Sequence, residues 1–241
     1  MKILKFGGSS VGTSEALKAL IGVVKTNVDA KEQMIIVVSA MGGITNQLIS
    51  TAENAVLGVD FVPALTEIEK RHFDIVKELI PIQQQNQVFT RLKLYFQELE
   101  DLMQGVTALQ ELSAKTKDAI LSFGEKCSAF MISRILKSID DNATFLNASE
   151  IIKTDSSFGN ARVDTEQTNF LVKNYFENHK DELVVVTGFI ASDDQNRVTT
   201  LGRGGSDYTA AIIGAALNVS QIEIWTDVNG MMTADPRRVK K

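Results

Sequence analysis

Three segments of this sequence place chemically active side chains beside glycine. Lys5 precedes Phe6-Gly7-Gly8-Ser9-Ser10, Ser39 precedes Ala40-Met41-Gly42-Gly43, and Arg203 lies within Gly202-Arg203-Gly204-Gly205-Ser206-Asp207. Glycine leaves backbone N–H groups open to an anion, and a helix starting just beyond adds donors and partial positive charge. An arginine among three glycines suits a loop wrapped on an anion and anchored by a guanidinium fork. Together the segments predict a phosphate site with a second anion beside it. Simpler readings stay open for each piece. Gly7-Gly8 also suits an ordinary strand-to-helix turn, and a strand lysine such as Lys5 usually faces solvent. Thr45, Ser206 and Asp207 also suit helix N-caps, and Glu125 a solvated helix position. Neither a G-x-x-x-x-G-K-[ST] loop nor a G-x-G-x-x-G fingerprint occurs. His72 and His179, set among charged residues, are expected at the surface, and no zinc or iron constellation is expected.

The elements that must position these residues follow from hydrophobic spacing. Residues 2–6, 34–39 and 183–187 are short apolar runs that read as buried strands, with further strands over 143–147, 197–201 and 222–226. Helical spacing covers 13–27, a stretch from about Thr45, 115–137, 165–178 and 206–217. Strands alternating with helices predict a parallel sheet covered on both faces, an α/β class. Ligands of such sheets bind beyond the carboxyl ends of the strands, where the glycine segments and Thr226-Asp227 fall. Residues 60–112 carry no strand signal and read as a helical insertion, a small lid or subdomain.

The bulk numbers agree. The chain has 241 residues, 44% of them hydrophobic, with a net charge of −5. That suits one continuous domain with a sizeable core and argues against a nucleic-acid binder. The one cysteine, Cys127, shares an apolar stripe with Phe123, Phe130 and Met131 and reads as core. A single cysteine fits a reducing, cytoplasmic setting. No apolar run suggests a membrane span, and the N-terminus lacks signal-peptide character.

Lys5-Phe6-Gly7-Gly8-Ser9-Ser10-Val11, Val38-Ser39-Ala40 through Ile44-Thr45-Asn46, Ser122-Phe123-Gly124-Glu125, the Leu201–Ala211 stretch around Arg203, and Ile224-Trp225-Thr226-Asp227-Val228 through Asp235-Pro236-Arg237 together resemble the aspartokinase family, in family order. The resemblance implies a three-layer α/β/α sandwich on a largely parallel sheet, the amino-acid kinase fold. It implies transfer of the ATP γ-phosphoryl group to the side-chain carboxylate of L-aspartate, with Mg²⁺, and a homo-oligomeric full-length parent. Ser39, Thr45, Glu125, Arg203, Gly204, Gly205 and Ser206 would shape the aspartate pocket, with Arg203 on a carboxylate and Glu125 on the amino group. Lys5, Gly7, Gly8 and Ser9 would follow the phosphates, and Asp207 would orient Lys5 or assist the metal. Thr226, Asp227, Met232 and Arg237 would lie on the ATP side. Residues 1–59 and 113–200 would hold the amino acid, and 201–241 would begin the nucleotide lobe. Met232 stands where the family often has tyrosine, and a later G-A-K-V-L-H-P segment is absent, so the resemblance reads as a truncated domain with weakened ATP binding. The parent enzyme is open between a monofunctional aspartokinase and a fusion to homoserine dehydrogenase. A non-catalytic sensor of the same fold, or another member such as a glutamate 5-kinase, is the alternative.

Overall fold

Runs such as Met34-Ile35-Ile36-Val37-Val38 are apolar at every position because their sheet is covered on both faces. The structure is a computed structural model that describes residues 1–29, 33–138, 140–180 and 182–227. Its strands are β1 (Lys2–Phe6), β2 (Met34–Val38), β3 (Ala143–Leu146), β4 (Leu183–Thr187), β5 (Ile190–Ser192), β6 (Val198–Thr200) and β7 (Gln221–Trp225). Five of them form a wholly parallel sheet in the order β3-β4-β2-β1-β7. β5 and β6 form a separate antiparallel hairpin. The strand expected over 197–201 therefore belongs to this hairpin rather than to the main sheet. Its short partner β5 gave no sequence signal.

The helices are α1 (Ser14–Asp29), α2 (Ile44–Val56), α3 (Val62–Leu79), α4 (Ile82–Leu109), α5 (Ala114–Leu136), α6 (Thr165–Asn178) and α7 (Gly205–Leu217). Side chains alternate along each strand. Leu4, Phe6, Ile36, Val38 and Val185 join one core cluster with residues of α1 to α5, and Ile3, Ile35, Val37, Val184 and Val186 join another with α6 and α7. This is the expected three-layer arrangement, thickened on one side. α3 and α4 pack on α2 and α5, and Ile68, Ile75, Leu92, Leu99 and Met103 belong to the same cluster as the strands. The expected lid or subdomain thus has no core of its own among the described residues. Covered by the sheet below and by α3 and α4 above, α5 is buried along most of its length from Asp118 to Leu136. Cys127 is part of that core, and burial pushes its thiol far above the ordinary range.

His72 corrects the sequence reading: it is fully buried, not at the surface. It lies on the stripe Leu65, Ile68, His72, Ile75 and Val76. Its Nδ1 is 2.8 Å from the Ile68 carbonyl oxygen, and its ring meets Phe96 edge-on at 5.6 Å. Burial, opposed by the Ile68 carbonyl and aided by Arg71, lowers its pKa to about 4. His179 is only half-buried, stacked on Tyr175 at 4.0 Å.

Asp118 fastens the hairpin to α5. Its Oδ2 accepts from the backbone N–H groups of Gly159 (2.8 Å) and Thr200 (2.9 Å), and its Oδ1 from the Thr200 hydroxyl (2.8 Å). Burial raises its pKa while these bonds pull it back. An asparagine can keep its oxygen on the two N–H groups and turn its amide toward the hydroxyl, which then accepts. An alanine strands all three donors. Asp118→Asn should cost about 1 kcal/mol and Asp118→Ala about 3 kcal/mol or more, read from urea midpoints; equal costs would show that Asp118 is not the fastening.

Candidate active site

Since every pairing in the main sheet is parallel, its strands all end on one edge, and the following turns at Gly7, Ser39, Gly188 and Thr226 lie along it. The hairpin brings Gly202–Asp207 to the same edge, where the Leu201 N–H donates to the Phe189 carbonyl at 2.9 Å. A cleft of about 380 Å³ opens there, a size suited to a small ligand. Lys5, Gly8, Ser39, Thr45, Glu125, Arg203, Gly204, Gly205, Ser206 and Asp207 all line it.

Lys5 sits near the end of β1, paired in register with Val37 on one side and Ile224 on the other. It is 7% exposed, so it does not face solvent as strand lysines usually do. Its ammonium is 2.6 Å from Asp207 Oδ1, and the Asp207 side chain is 49% exposed. Asp207 lies in the first turn of α7, where helix polarity favours a carboxylate. The ion pair ties β1 to α7 at the mouth of the cleft.

Neither Ser206 nor Asp207 caps α7, and Thr45 does not cap α2. Gly204 and Gly43 hold those N-cap positions with φ of 75° and 85° and no side-chain capping bond. Glycine adopts this left-handed backbone without a Cβ penalty. Ser206, Asp207 and Thr45 are thereby left to face the cleft.

Glu125 is 3% exposed, which overturns the solvated reading. Its Oε1 accepts from the Ala40 N–H at 3.2 Å, and its Oε2 has no hydrogen-bond partner among the described residues. Burial pushes its pKa up to about 8, against the pull of backbone hydrogen bonds from Ala40 and its own residue. Arg203 is exposed, and no carboxylate pairs with it among the described residues. A cleft with a paired lysine, a guanidinium without a carboxylate partner among the described residues, and a buried carboxyl with one unpaired oxygen can hold a ligand carrying both signs of charge.

The other expected residues stand beside this cleft. The Gly7 N–H donates to the Trp225 carbonyl at 3.0 Å, and a Cβ on Gly7 would lie 3.7 Å from Lys5 Nζ and 3.9 Å from Thr226 Oγ1. Gly7 and Thr226 are therefore neighbours of the ammonium. Thr226 Oγ1 donates to Asp227 Oδ1 at 3.0 Å, and both residues are exposed. Ser9 is exposed within the short 3-10 turn Gly8–Val11. Met232 and Arg237 lie outside the described residues. Sequence reasoning missed Phe189, which lines the cleft with a backbone φ of 67° that is rare outside glycine. Its N–H donates to Thr209 Oγ1 at 3.0 Å, which holds the turn against α7. Its place just past a strand end was the available signal.

At Gly188 the edge and α7 approach too closely for any side chain: a Cβ would lie 2.5 Å from both Cβ and Oγ of Ser206. Gly188→Ala must push back the first turn of α7, and with it Asp207. We expect a loss of about 1–3 kcal/mol in a urea melt; an unchanged midpoint would mean that α7 yields freely.

A parallel sheet whose carboxyl edge carries glycine turns, a half-exposed ion pair and an exposed arginine belongs to the class of α/β proteins that take small ligands at that edge. A model of the amino acid kinase family matches residues 1–241, and the chain belongs to that family. Lysine-sensitive aspartokinase 3 of Escherichia coli is 34% identical over 243 residues, 98% of this chain and 51% of that protein. Aspartokinase 1, chloroplastic, of Arabidopsis thaliana is 36% identical over 248 residues, 99% of this chain and 42% of that protein. The crystal structure of E. coli aspartokinase III in complex with aspartate and ADP matches with a TM-score of 0.89 at 32% identity, covering 98% of this chain and 51% of that one. The chain spans about half the length, or less, of the curated relatives it matches. Among the described residues no helix is long and apolar enough to cross a membrane.

Proposed function

We propose that this chain is the catalytic domain of an aspartokinase, transferring the γ-phosphoryl group of ATP to the side-chain carboxylate of L-aspartate. The observation that carries the reading is the Lys5–Asp207 ion pair at 2.6 Å, lining one cleft with Arg203 and Glu125. Aspartate has a matching charge pattern. In this reading Arg203 binds its α-carboxylate, Glu125 receives its ammonium, and Ser39, Thr45 and Ser206 supply hydroxyls. The backbone of Gly204 and Gly205 lines the same wall.

The acceptor carboxylate is already ionised at neutral pH, so no general base is required. One of its oxygens forms the new bond to phosphorus as the bond from phosphorus to the bridging oxygen of ADP breaks. The barrier is the approach of one anion to another, and it falls to positioning and charge stabilisation. Lys5 supplies positive charge at the transferring group, held in place by Asp207. Gly7, Gly8 and Ser9 line the phosphate path, with Thr226 and Asp227 on the nucleotide side. Met232 and Arg237 are assigned to that side by the family resemblance. Residues 201–241 would begin the nucleotide lobe.

Among the described residues no cluster of three acidic, His or Cys side chains could cage a metal. Asp207, with its side chain 49% exposed at the cleft, fits the one or two protein carboxylates that Mg²⁺ carried on nucleotide phosphates typically takes. When bound, Mg²⁺ would neutralise phosphate charge.

The test is hydroxylamine trapping of the acyl phosphate made by the full-length gene product from ATP and aspartate, with glutamate and UMP as competing acceptors. Aspartyl hydroxamate alone is expected. Glutamyl hydroxamate, or no acyl phosphate at all, would sink the assignment.

A further inference from the structure

A second cavity, of about 790 Å³, lies beside the outermost strand β3, between it, α4 and α5. It shares no lining residue with the cleft. Its wall is aromatic: the Phe130 ring meets Tyr95 at 6.1 Å and Phe145 at 6.0 Å, both nearly perpendicular. Two guanidinium groups lie on this wall, Arg91 Cζ 5.1 Å from the Tyr95 centroid and Arg134 Cζ 5.0 Å from the Phe130 centroid. Lys137 lines the same space.

Stacking on a ring fixes a guanidinium plane and leaves its edge N–H groups open to an oxyanion. No carboxylate pairs with these three cations among the described residues, and the one acid lining the cavity is the exposed Asp141. The polarity of α5 accounts for Arg134 in its last turn and Lys137 at its C-cap. It does not account for Arg91, which projects from the middle of α4 into the same cavity. In a chain of net charge −5, three cations against one carboxylate form a local positive site. Its volume falls in the range of small-molecule sites.

We propose that this cavity binds a small organic dianion, a dicarboxylate or a phosphomonoester. Its oxyanion groups are held by Arg91, Arg134 and Lys137, and its apolar body rests against Phe145 and Val88. The ligand charge matches the excess of cations, and the apolar part replaces water on a wall already hydrophobic.

The test is calorimetric titration of the full chain with phthalate, phenyl phosphate and, as the neutral control, benzyl alcohol. At least one dianion is expected to bind below about 1 mM, and benzyl alcohol not to bind; which dianion binds identifies the oxyanion. Arg91→Gln and Arg134→Gln should each weaken binding about tenfold, while Arg203→Gln, in the first cleft, should leave it unchanged. Arg91 is exposed, so its replacement keeps the fold and the experiment decisive. Failure of both dianions to bind, full affinity in the Arg91→Gln chain, or loss of binding in the Arg203→Gln chain would each overturn the proposal.

Discussion

Lys5→Ala in the full-length protein is expected to lower kcat by about a hundredfold to a thousandfold, while KM for aspartate changes little. The ammonium is nearly buried and sits 2.6 Å from Asp207. It has therefore lost most of its water before any substrate arrives and needs little reorganisation when phosphoryl charge develops. An interaction that strengthens in the transition state appears in kcat, whereas uniform binding appears in KM. Folding should suffer little, because the Asp207 side chain left behind is 49% exposed and rehydrates. Asp207→Ala is the sharper stability test. It leaves an ammonium buried without its partner, and breaking a pair from that side is the costly direction. Steady-state kinetics by the hydroxamate assay, with a urea melt of each variant, separates the two effects. An unchanged kcat in Lys5→Ala would remove Lys5 from the reaction.

The second large effect concerns Glu125 and works in opposite senses on stability and binding. Its folded pKa is raised from 4.5 to about 8. Below pH 4.5 the carboxyl is neutral folded and unfolded. As pH rises from 4.5 to 8 the unfolded chain releases this proton first, so stability falls across that window and levels off above it. At pH 7 the loss is on the order of 3 kcal/mol. Glu125→Gln should therefore match the parent near pH 4.5 and exceed its stability by a few kcal/mol at pH 7. His72 acts in the reverse direction: its folded pKa is lowered from 6.5 to about 4, so its contribution is lost as pH falls through that range. It is common to both proteins and cancels in the comparison. On the proposed function the same variant should lose about a hundredfold in aspartate affinity, because the buried group proposed to receive the substrate ammonium becomes a neutral amide. Aspartate binding to the parent at pH 7 should also release a proton, seen as a binding enthalpy that depends on buffer ionisation. A pH-independent stability difference, or aspartate affinity unchanged in Glu125→Gln, would refute this account.

Much of this was legible in the sequence. The strands 2–6 and 183–187 and the helix 165–178 were read at their observed bounds, since unbroken apolar runs and a 3.6-residue spacing are local properties. The expectation of an anion at Gly202–Asp207 was equally local, since it rests on glycine content and one arginine; the structure brings that turn to the cleft. His72 was misread although its signal was present: it sits four residues after Ile68 and three before Ile75 on one helical stripe. Its charged neighbours Arg71 and Asp74 point elsewhere, because adjacent helix residues do not share a face. β5, Ile190-Ala191-Ser192, escaped notice because it carries one β-branched residue, whereas the equally short β6, Val198-Thr199-Thr200, carries three.

Residue types and their spacing determined the α/β class, the glycine turns and the candidate cations, because each is set by interactions within a few residues. Tertiary structure decided which charges meet. Lys5 could have been a solvated strand lysine until α7 closed over that face and left Asp207 as its partner. Glu125 could have been a surface carboxylate until the fold set it against the Ala40 N–H just past β2, where burial removes the water that would have kept its pKa ordinary. The cationic cavity joins the middle of one helix to the end of another. Desolvation and charge pairing depend on what lies across the fold, and no spacing along the chain records that.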